Sequence, residues 1–284
     1  MPQPLKQIKN RIRSVENAKK VTHAMEMVSV AKLNQMDKAL YALRPYQAAL
    51  EEMFYHLLGA AEDAENVFLK PRRERERIVL CVVTSDNGLC GVYNQNVLRA
   101  AERFIKENDR AKVSLLLVGK KGVNYFKAKK TPIVYQYVGL NGRYDPLISD
   151  QITGILINLF LSHQADEVQV AYTYFKTGFI QNAVVEKFLN IELGQAKAGD
   201  WIVEPDFAAV AEKLCLRYLL TRMRFVFLQA FTSEHATRSL AMRTATSNGE
   251  ELLKGLVLLR NKIRQANITQ DMLEIISSSE ALKG

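Results

Sequence analysis

Residues 242–266, MRTATSNGEELLKGLVLLRNKIRQA, carry the apolar rhythm that decides the fold of this chain. Small and apolar residues recur there in alternating steps of three and four: Met242, Ala245, Gly249, Leu252, Leu256, Leu259, Ile263 and Ala266. This spacing is typical of a coiled-coil seam, whereas an ordinary surface helix carries a broader apolar stripe. Because the stretch from Asp206 to Leu282 contains no proline, we predict a single helix that extends for roughly 110 Å. Such a seam needs a second helix to cover it.

The N-terminal segment, up to about Ala61, carries a matching pattern. Its outer parts place apolar residues on a heptad seam: Leu5, Ile8, Ile12, Val15, Leu33, Met36, Leu40 and Leu43. In the middle, the same seam is polar: Lys19, Thr22, Glu26 and Ser29. A neighbouring row is apolar instead: Ala18, Val21, Met25 and Val28. We therefore predict one long helix whose contact face shifts to the apolar row in its middle, and which Pro45 kinks or interrupts.

The sequence between these helices changes character. Short apolar runs predict strands at 78–84, 113–118, 133–138 and 167–174, with a further edge strand at 184–189. They alternate with helical stretches, which indicates a compact layer with a largely parallel sheet. The predicted fold class is α/β plus coiled coil: a long antiparallel coiled coil of the N- and C-terminal helices with an inserted Rossmann-like α/β domain. We expect the domains to span residues 1–61, 76–195 and 206–284.

Composition narrows the classes of protein to consider. The 284 residues carry a formal net charge of +9, which predicts attraction to acidic partners. Three cysteines without CxxC spacing suit a reducing compartment and argue against a disulfide framework or a zinc site. The opening residues lack the features of a targeting peptide. No uncharged apolar run reaches membrane-spanning length, so we expect no direct membrane insertion.

The stretch Ser85–Gly91, SDNGLCG, is the strongest candidate for chemistry. It follows a predicted strand, as a phosphate-binding loop would, but it lacks the GxGxxG spacing, and no GxxxxGK[ST] motif occurs in the chain. We interpret it as a tight glycine turn, with Asp86 as a turn or helix-capping carboxylate. The histidines lack metal-ligand or triad spacing and are expected at surfaces or interfaces: His23, His56, His163 and His235. The sequence thus predicts no cofactor, metal or catalytic set.

Two other readings remain open on the residues alone. One is a nucleotide-binding α/β enzyme with helical arms, which would need a phosphate loop. The other is a basic coiled-coil nucleic-acid binder, since lysine and arginine crowd the first twenty residues. That region lacks the aromatic side chains on which bases stack, which disfavours the second reading.

Several separated motifs add a resemblance to a known family. They are IKNRIRSV at 8–15, SDNGLCG at 85–91, WIVEPD at 201–206, SEHATR at 233–238 and NKIRQANIT at 261–269. In this order they resemble the gamma subunits of F-type ATP synthases, nearly end to end. The chain departs from the family pattern at three places: Asn87 replaces a usual basic residue, Asp271 a usual glutamate, and Ser278-Ser279 a usual Gly-Ala pair.

The resemblance implies a central rotor shaft that is not itself catalytic. In this family the shaft couples rotation of the membrane c-subunit ring, driven by H⁺ or Na⁺, to conformational changes at the beta-subunit catalytic sites. The implied partners are the hexamer of three alpha and three beta subunits, the epsilon subunit and the c ring, with no nucleic acid. The implied location is the cytoplasmic face of a bacterial inner membrane, as a peripheral protein.

The resemblance also implies two sets of partner-binding residues. The first set is expected to contact the beta subunits: Met25, Lys32, Arg238, Gln265, Thr269 and Asp271. The second set is expected near the c ring and the epsilon subunit: Trp201 and Glu204.

Overall fold

The computed structural model describes residues 5–59, 67–68, 75–177, 180–191 and 207–281. Within these ranges the elements are α1 (Leu5–Gly59), β1 (Arg77–Val83), α2 (Tyr93–Glu107), β2 (Lys112–Val118), α3 (Lys120–Ala128), β3 (Ile133–Tyr137), α4 (Pro146–Leu161), β4 (Glu167–Thr177), β5 (Ile180–Leu189) and α5 (Phe207–Ala281). The predicted order of helix, α/β layer and helix is confirmed. The chain divides into two compact units: a helical unit (Met1–Val28 with Ser239–Gly284) and a sheet unit (Ser29–Arg238).

The sheet unit contains a five-stranded sheet in the order β3-β2-β1-β4-β5. All pairings are parallel except that of β4 with β5, so the predicted edge strand is antiparallel. Strand β1 is buried on both faces because its alternate side chains enter different cores. Leu80 and Val82 join the core with α2 and α3, while Cys81 and Val83 join the core with α4 and α5.

The core that contains α4 and α5 surrounds the first part of α5. Its largest fully buried side chains include Phe227 and Phe231 of α5 and Phe54 of α1. The Phe54 ring stacks on that of Tyr218, with centroids 4.3 Å apart and planes 15° from parallel. Since such aromatic side chains bury the largest areas, this contact contributes strongly to the pairing of α1 with α5 in the sheet unit.

Pro45 lies inside α1, and the helix continues through it. Of the two effects predicted for Pro45, a kink or an interruption, the interruption is therefore wrong. Proline removes the hydrogen bond to the carbonyl of Tyr41, but Tyr41 is 73% exposed, so water can reach that turn. Buried contacts on both sides of the proline, at Leu40 and Leu50, hold the helix in place.

In the helical unit α1 and α5 pair antiparallel, as predicted. Lys19 Nζ lies 3.0 Å from Glu250 Oε1, and the Thr22 and Thr246 hydroxyl oxygens lie 2.8 Å apart. Farther along α1, Glu26 pairs with Arg243. Ascending positions on α1 thus meet descending positions on α5. Ile8, Ile12 and Leu256 form an apolar cluster at the other end of the contact.

These contacts overturn the predicted shift of the α1 contact face. The polar row faces α5, while Val21 and Val28 of the apolar row are each 58% exposed. For α1 to contact α5 through the neighbouring apolar row, α1 would have to rotate by about 100° around its own axis. No such rotation is needed, because Lys19, Thr22 and Glu26 each have a partner on α5.

The predicted α5 seam is correct at Met242 and Leu256, which are buried, and wrong at Leu252 and Leu259, which are 47% and 41% exposed. Leu253 packs against the apolar cluster instead. Leucine occupies both 252 and 253, so the sequence alone allows either residue to face the partner helix. The position of α1 decides that Leu253 does so. From Arg264 to Ala281 every α5 residue is exposed, because α1 begins at Leu5 and its described part offers no partner there.

Candidate functional site

The loop 85–91 connects β1 to α2 by a tight turn. The backbone N–H of Ser85 donates to Asn94 Oδ1 at 3.0 Å, and the Ser85 hydroxyl donates to the carbonyl of Asn87 at 2.6 Å. Leu89 and Gly91 adopt positive φ of 60° and 54°, a region that glycine enters without strain. The interpretation of this stretch as a turn is confirmed.

Asp86 ties this loop to two other segments. Its Oδ1 accepts a hydrogen bond from the backbone N–H of Lys120 at the start of α3, at 2.9 Å. Its Oδ2 accepts from the N–H groups of Gly139 and Asn141, at 3.1 and 2.7 Å. Of the two roles predicted for Asp86, a turn or a helix-capping carboxylate, the helix-capping role is confirmed at the start of α3. N–H groups at a helix start are those that an anionic ligand would bind. Here groups of the chain itself accept from them: Asp86 from Lys120, the Ser85 carbonyl from Lys121, and the Thr84 hydroxyl from Gly122.

Helix α5 brings a group of buried polar residues to the same place. Glu234, His235 and Arg238 are 1%, 2% and 7% exposed. The Arg238 guanidinium donates to Glu234 Oε1 at 2.7 Å and to the carbonyls of Asn87 and Gly88, each at 3.3 Å. We call this set, together with the loops 85–91 and 139–142, the polar joint.

His235 completes the polar joint. Its Nε2 lies 2.7 Å from the carbonyl oxygen of Gly142, which can only accept, so Nε2 carries the proton and Nδ1 accepts from Arg238 Nη1 at 3.3 Å. Burial lowers the pKa of His235 to about 4, so the ring is neutral near pH 7. A Cβ atom at residue 142 would lie 2.7 Å from this ring, so Gly142 leaves the space that the imidazole occupies.

The structure corrects the sequence-based expectation for His235. That histidine was expected at a surface or at an interface with a partner, but it lies inside the chain. The expectation rested on its place in a long helix without neighbouring metal ligands. The helix pattern does not show that the loop after β3 covers this face of α5.

Burial shifts the pKa values of Glu234, within the joint, and of Lys32, beside it. Burial raises the pKa of Glu234, and the nearby Arg238 opposes part of that rise. Lys32 of α1 donates from Nζ to the carbonyl of Asn141 at 3.0 Å, and burial lowers its pKa, with Arg143 adding to the decrease. Asn87 Nδ2 donates to Asn141 Oδ1 at 3.2 Å and joins the two loops directly.

The residues predicted from the family resemblance fall in different places. Lys32 and Arg238 meet at the polar joint. Met25 is half-buried in the helical unit, and the exposed end of α5 carries three of the set: Gln265, Thr269 and Asp271. There the Thr269 hydroxyl donates only to the carbonyl of Gln265, one turn back. Trp201 and Glu204 lie outside the described residues.

Sequence reasoning singled out Arg238 but did not assign roles to Glu234, Asn141 or Gly142. One signal was available for the first of these. The run SEHATR at 233–238 is polar directly after the apolar segment that ends at Phe231, and polar residues on the buried face of a helix need partners in the fold. The Asn141-Gly142 dipeptide marks a turn at 139–142 but does not show which segment that turn contacts.

The described residues contain neither a grouping of metal-binding side chains nor a helix that could cross a membrane. Among them, no three His, Cys, Asp or Glu side chains are grouped closely enough to hold a metal ion. None of the helices, within the ranges described, is both long enough and apolar enough to cross a membrane.

The paired helices, the inserted sheet and the polar joint define a class of protein: a helical hairpin that carries an α/β insert. A family model described as ATP synthase matches residues 4–282. The chain is 34% identical to the ATP synthase gamma chain of Protochlamydia amoebophila, covering 98% of this chain and 99% of that one. It is 36% identical to the ATP synthase gamma chain of Anaeromyxobacter sp. strain K, with the same coverage. The chain belongs to the ATP synthase gamma chain family.

Solved structures share the fold at lower sequence identity. A chain of the Euglena gracilis mitochondrial ATP synthase, in a structure of the OSCP, F1 and c-ring assembly, superposes with a TM-score of 0.69 at 18% identity. The superposition covers 98% of this chain and 94% of that one. A chain from the central stalk and c ring of the Tetrahymena thermophila enzyme gives a TM-score of 0.61 at 21% identity, covering 79% of this chain and 99% of that one.

Proposed function

We propose that this chain is the central rotor shaft of an F-type ATP synthase. As a gamma chain it is not catalytic itself; it couples rotation of a c-subunit ring, driven by H⁺ or Na⁺, to conformational changes at the catalytic sites of the beta subunits. The observation that carries this proposal is the similarity to gamma chains, 34–36% identity over 98% of the chain. The antiparallel helix pair supports it, because two interlocked helices resist twisting better than one.

The hexamer of three alpha and three beta subunits is the proposed partner of the exposed end of α5. Beyond Ile263 this end exposes several large apolar side chains: Ile268, Met272, Leu273, Ile275 and Ile276. An exposed apolar surface of this kind marks a site of protein contact. Gln265, Thr269 and Asp271 lie on the same end, exposed, and we propose that they form polar contacts with beta-subunit loops.

Met25, Lys32 and Arg238 belong to the same proposal as contacts of the beta subunits nearer the sheet unit. Lys32 is half-buried at the edge of the polar joint. Arg238 already uses its guanidinium inside the joint, so we propose that it acts on a beta subunit together with the loop 85–91 that it holds. The net charge of +9 favours acidic partner segments.

We propose that Trp201 and Glu204 bind the c ring and the epsilon subunit. This places the chain, as a peripheral subunit, on the cytoplasmic face of a bacterial inner membrane. The division into domains at 1–61, 76–195 and 206–284 is part of the same proposal: the two helical segments form the shaft and the inserted sheet domain forms the foot.

Co-expression with alpha and beta subunits tests the proposed function. We expect a stable complex of three alpha, three beta and one copy of this chain on size exclusion, with ATP hydrolysis that depends on the chain. A chain that elutes apart from the hexamer, or a hydrolysis rate indifferent to its presence, would contradict the proposal. Nucleotide and DNA binding by the chain alone should be measured next in that case.

A further inference from the structure

We infer that Glu234 and His235 are positioning residues, which orient Arg238 so that its guanidinium locks α5 against rotation relative to the loops after β1 and β3. The lock holds the helix and the sheet together under torque. This inference rests on the proposed function, since a lock of this kind matters only if torque passes along α5.

The hydrogen bonds of Arg238 fix the orientation of α5 about its axis relative to the loop after β1. The guanidinium contacts acceptors on two elements: Glu234 and His235 of α5, and the Asn87 and Gly88 carbonyls of the loop after β1. Arginine presents its donors in a rigid planar fork. A rotation of α5 about its axis would therefore break the two loop contacts together.

His235 supplies the second attachment point. It bonds to the Gly142 carbonyl on the loop after β3 and to Arg238 Nη1 on its own helix. The ring fills the space left by a glycine with a positive φ of 65°. Both ring nitrogens are used in the neutral form, so the imidazole links the second loop to the arginine without adding a buried charge.

The neighbouring apolar contacts of α5 lack this directional property. One and two turns before the joint, α5 contacts the core through Phe227 and Phe231. The hydrophobic driving force is not directional, so it keeps this face of the helix buried, whereas the hydrogen bonds of the joint also fix which acceptors that face meets. A buried Glu–Arg pair is seldom justified by stability alone, because desolvation of the two charges offsets most of their attraction. Its presence here fits a role in fixing orientation.

Other charged groups face the joint and define the conditions for a test. Lys32 and Arg143 add positive charge, and Asp86 adds negative charge near Glu234. The test therefore uses uncharged changes at His235, which leave this balance intact near pH 7. His235→Leu removes both hydrogen bonds of the ring. His235→Gln keeps a side-chain donor for the Gly142 carbonyl and serves as the conservative partner. His23→Leu, at an exposed histidine of α1, is the matched control.

The experiment uses the complex with alpha and beta subunits. Cys81, Cys90 and Cys215 are buried, so a cysteine introduced at the exposed Lys127 of α3 is a selective point for attaching a gold rod. The angular variance of the rod is measured in complexes stalled with inhibitor. Ion-driven ATP synthesis is measured in vesicles that carry the whole enzyme.

We expect His235→Leu to increase the angular variance and to lower ATP synthesis by about two- to thirtyfold, the range for residues that couple two sites. His235→Gln and His23→Leu should stay near the wild type in both measurements. All are recorded below the melting temperature of each variant, so that a loss of stability alone changes neither. Wild-type variance and synthesis in His235→Leu would overturn the inference.

Two further outcomes distinguish a failure of this inference from a failure of the proposed function. If His235→Leu does not assemble, Glu234→Gln replaces it; this variant keeps the side-chain shape and removes the charge that holds Arg238. An unchanged variance in Glu234→Gln would then overturn the inference. A wild-type chain that fails to assemble with the hexamer contradicts the proposed function instead, whatever the variants do.

Discussion

Arg238 and Glu234 form a buried ion pair one turn apart on α5, with 2.7 Å between Nη2 and Oε1 and side chains only 8% and 1% exposed. The same guanidinium reaches the Gly88 carbonyl, 150 residues away in sequence. Two motifs that resemble gamma subunits when read separately, SDNGLCG and SEHATR, are therefore two halves of one contact. The polar joint gives a role to the side chains of Asp86 in the first run and of Glu234, His235 and Arg238 in the second.

Replacing Arg238 by alanine should destabilise the chain by about 3–5 kcal/mol, because it leaves the Glu234 carboxylate buried without a counter-charge. Thermal or urea unfolding of the full chain measures this. Arg243→Ala is the control: Arg243 is on the same helix and 71% exposed in its pair with Glu26, so its loss should change stability by less than about 1 kcal/mol. Equal effects from the two substitutions would contradict the buried pair.

The neutral His235 predicts a specific dependence of stability on pH. Its pKa falls from 6.5 to about 4 on folding, so the unfolded chain binds the proton first. The contribution of the neutral His235 ring to the free energy of unfolding is fully present above pH 6.5. It is lost as the pH falls toward 4, by up to about 3 kcal/mol. The raised pKa of Glu234 acts with the opposite sign, so the measurement is the difference between wild type and His235→Gln. A difference that stays constant from pH 7 to pH 4 would refute the assignment.

Asp86→Ala should loosen the two segments that this carboxylate holds. Loss of an acceptor for three backbone N–H groups should cost roughly 2–4 kcal/mol, as these groups lose a charged partner. Hydrogen exchange by mass spectrometry should show faster exchange in peptides covering 119–125 and 138–144. Asp109→Ala, at an exposed carboxylate after α2, is the control. Unchanged exchange in both peptides would count against the capping role.

The hydroxyl pair of Thr22 and Thr246 predicts non-additive effects in the helical unit. Each single change to valine removes the cross-helix contact, while the remaining hydroxyl keeps its bond to a carbonyl of its own helix; the change should cost about 0.5–1.5 kcal/mol. The double change Thr22→Val, Thr246→Val replaces both groups with similar apolar shapes and should recover most of that loss. A double-mutant cycle by urea unfolding measures the coupling, and strictly additive costs would show that the two hydroxyls do not interact.

The exposed end of α5 predicts a change in activity without a change in folding. Gln265→Ala with Thr269→Ala removes two exposed side chains, of which the Thr269 hydroxyl bonds to the carbonyl of Gln265 on the same helix, so the free energy of unfolding of the chain should change by less than about 0.5 kcal/mol. ATP synthesis by the assembled enzyme should fall. Gln270→Ala, exposed on the same end, is the matched control. Full synthesis in the double variant would remove the proposed grip by the beta subunits.

Hydrophobic periodicity predicted the helices and strands well, because the spacing of apolar residues within a segment indicates both its secondary structure and the face that it buries. The apolar run at 78–84 indicated a strand, and β1 occupies Arg77–Val83. The interruption predicted at Pro45 was wrong because a proline's local effect is opposed by packing at Leu40 and Leu50, which lie on different turns. The sequence did not determine whether Leu252 or Leu253 faces the partner helix, because the sequence of α5 contains no information on which side of it α1 lies.

The order of helix, sheet and helix was determined by the sequence itself, since hydrophobic periodicity is a local property that each segment carries. Only the tertiary structure decided what the buried polar residues do. Lys19 and Thr22 face α5 although an apolar row lies beside them, and Arg238 bonds to a loop that precedes it by 150 residues. A polar side chain can be buried only where a partner satisfies it, and the identity of that partner depends on segments distant in the chain.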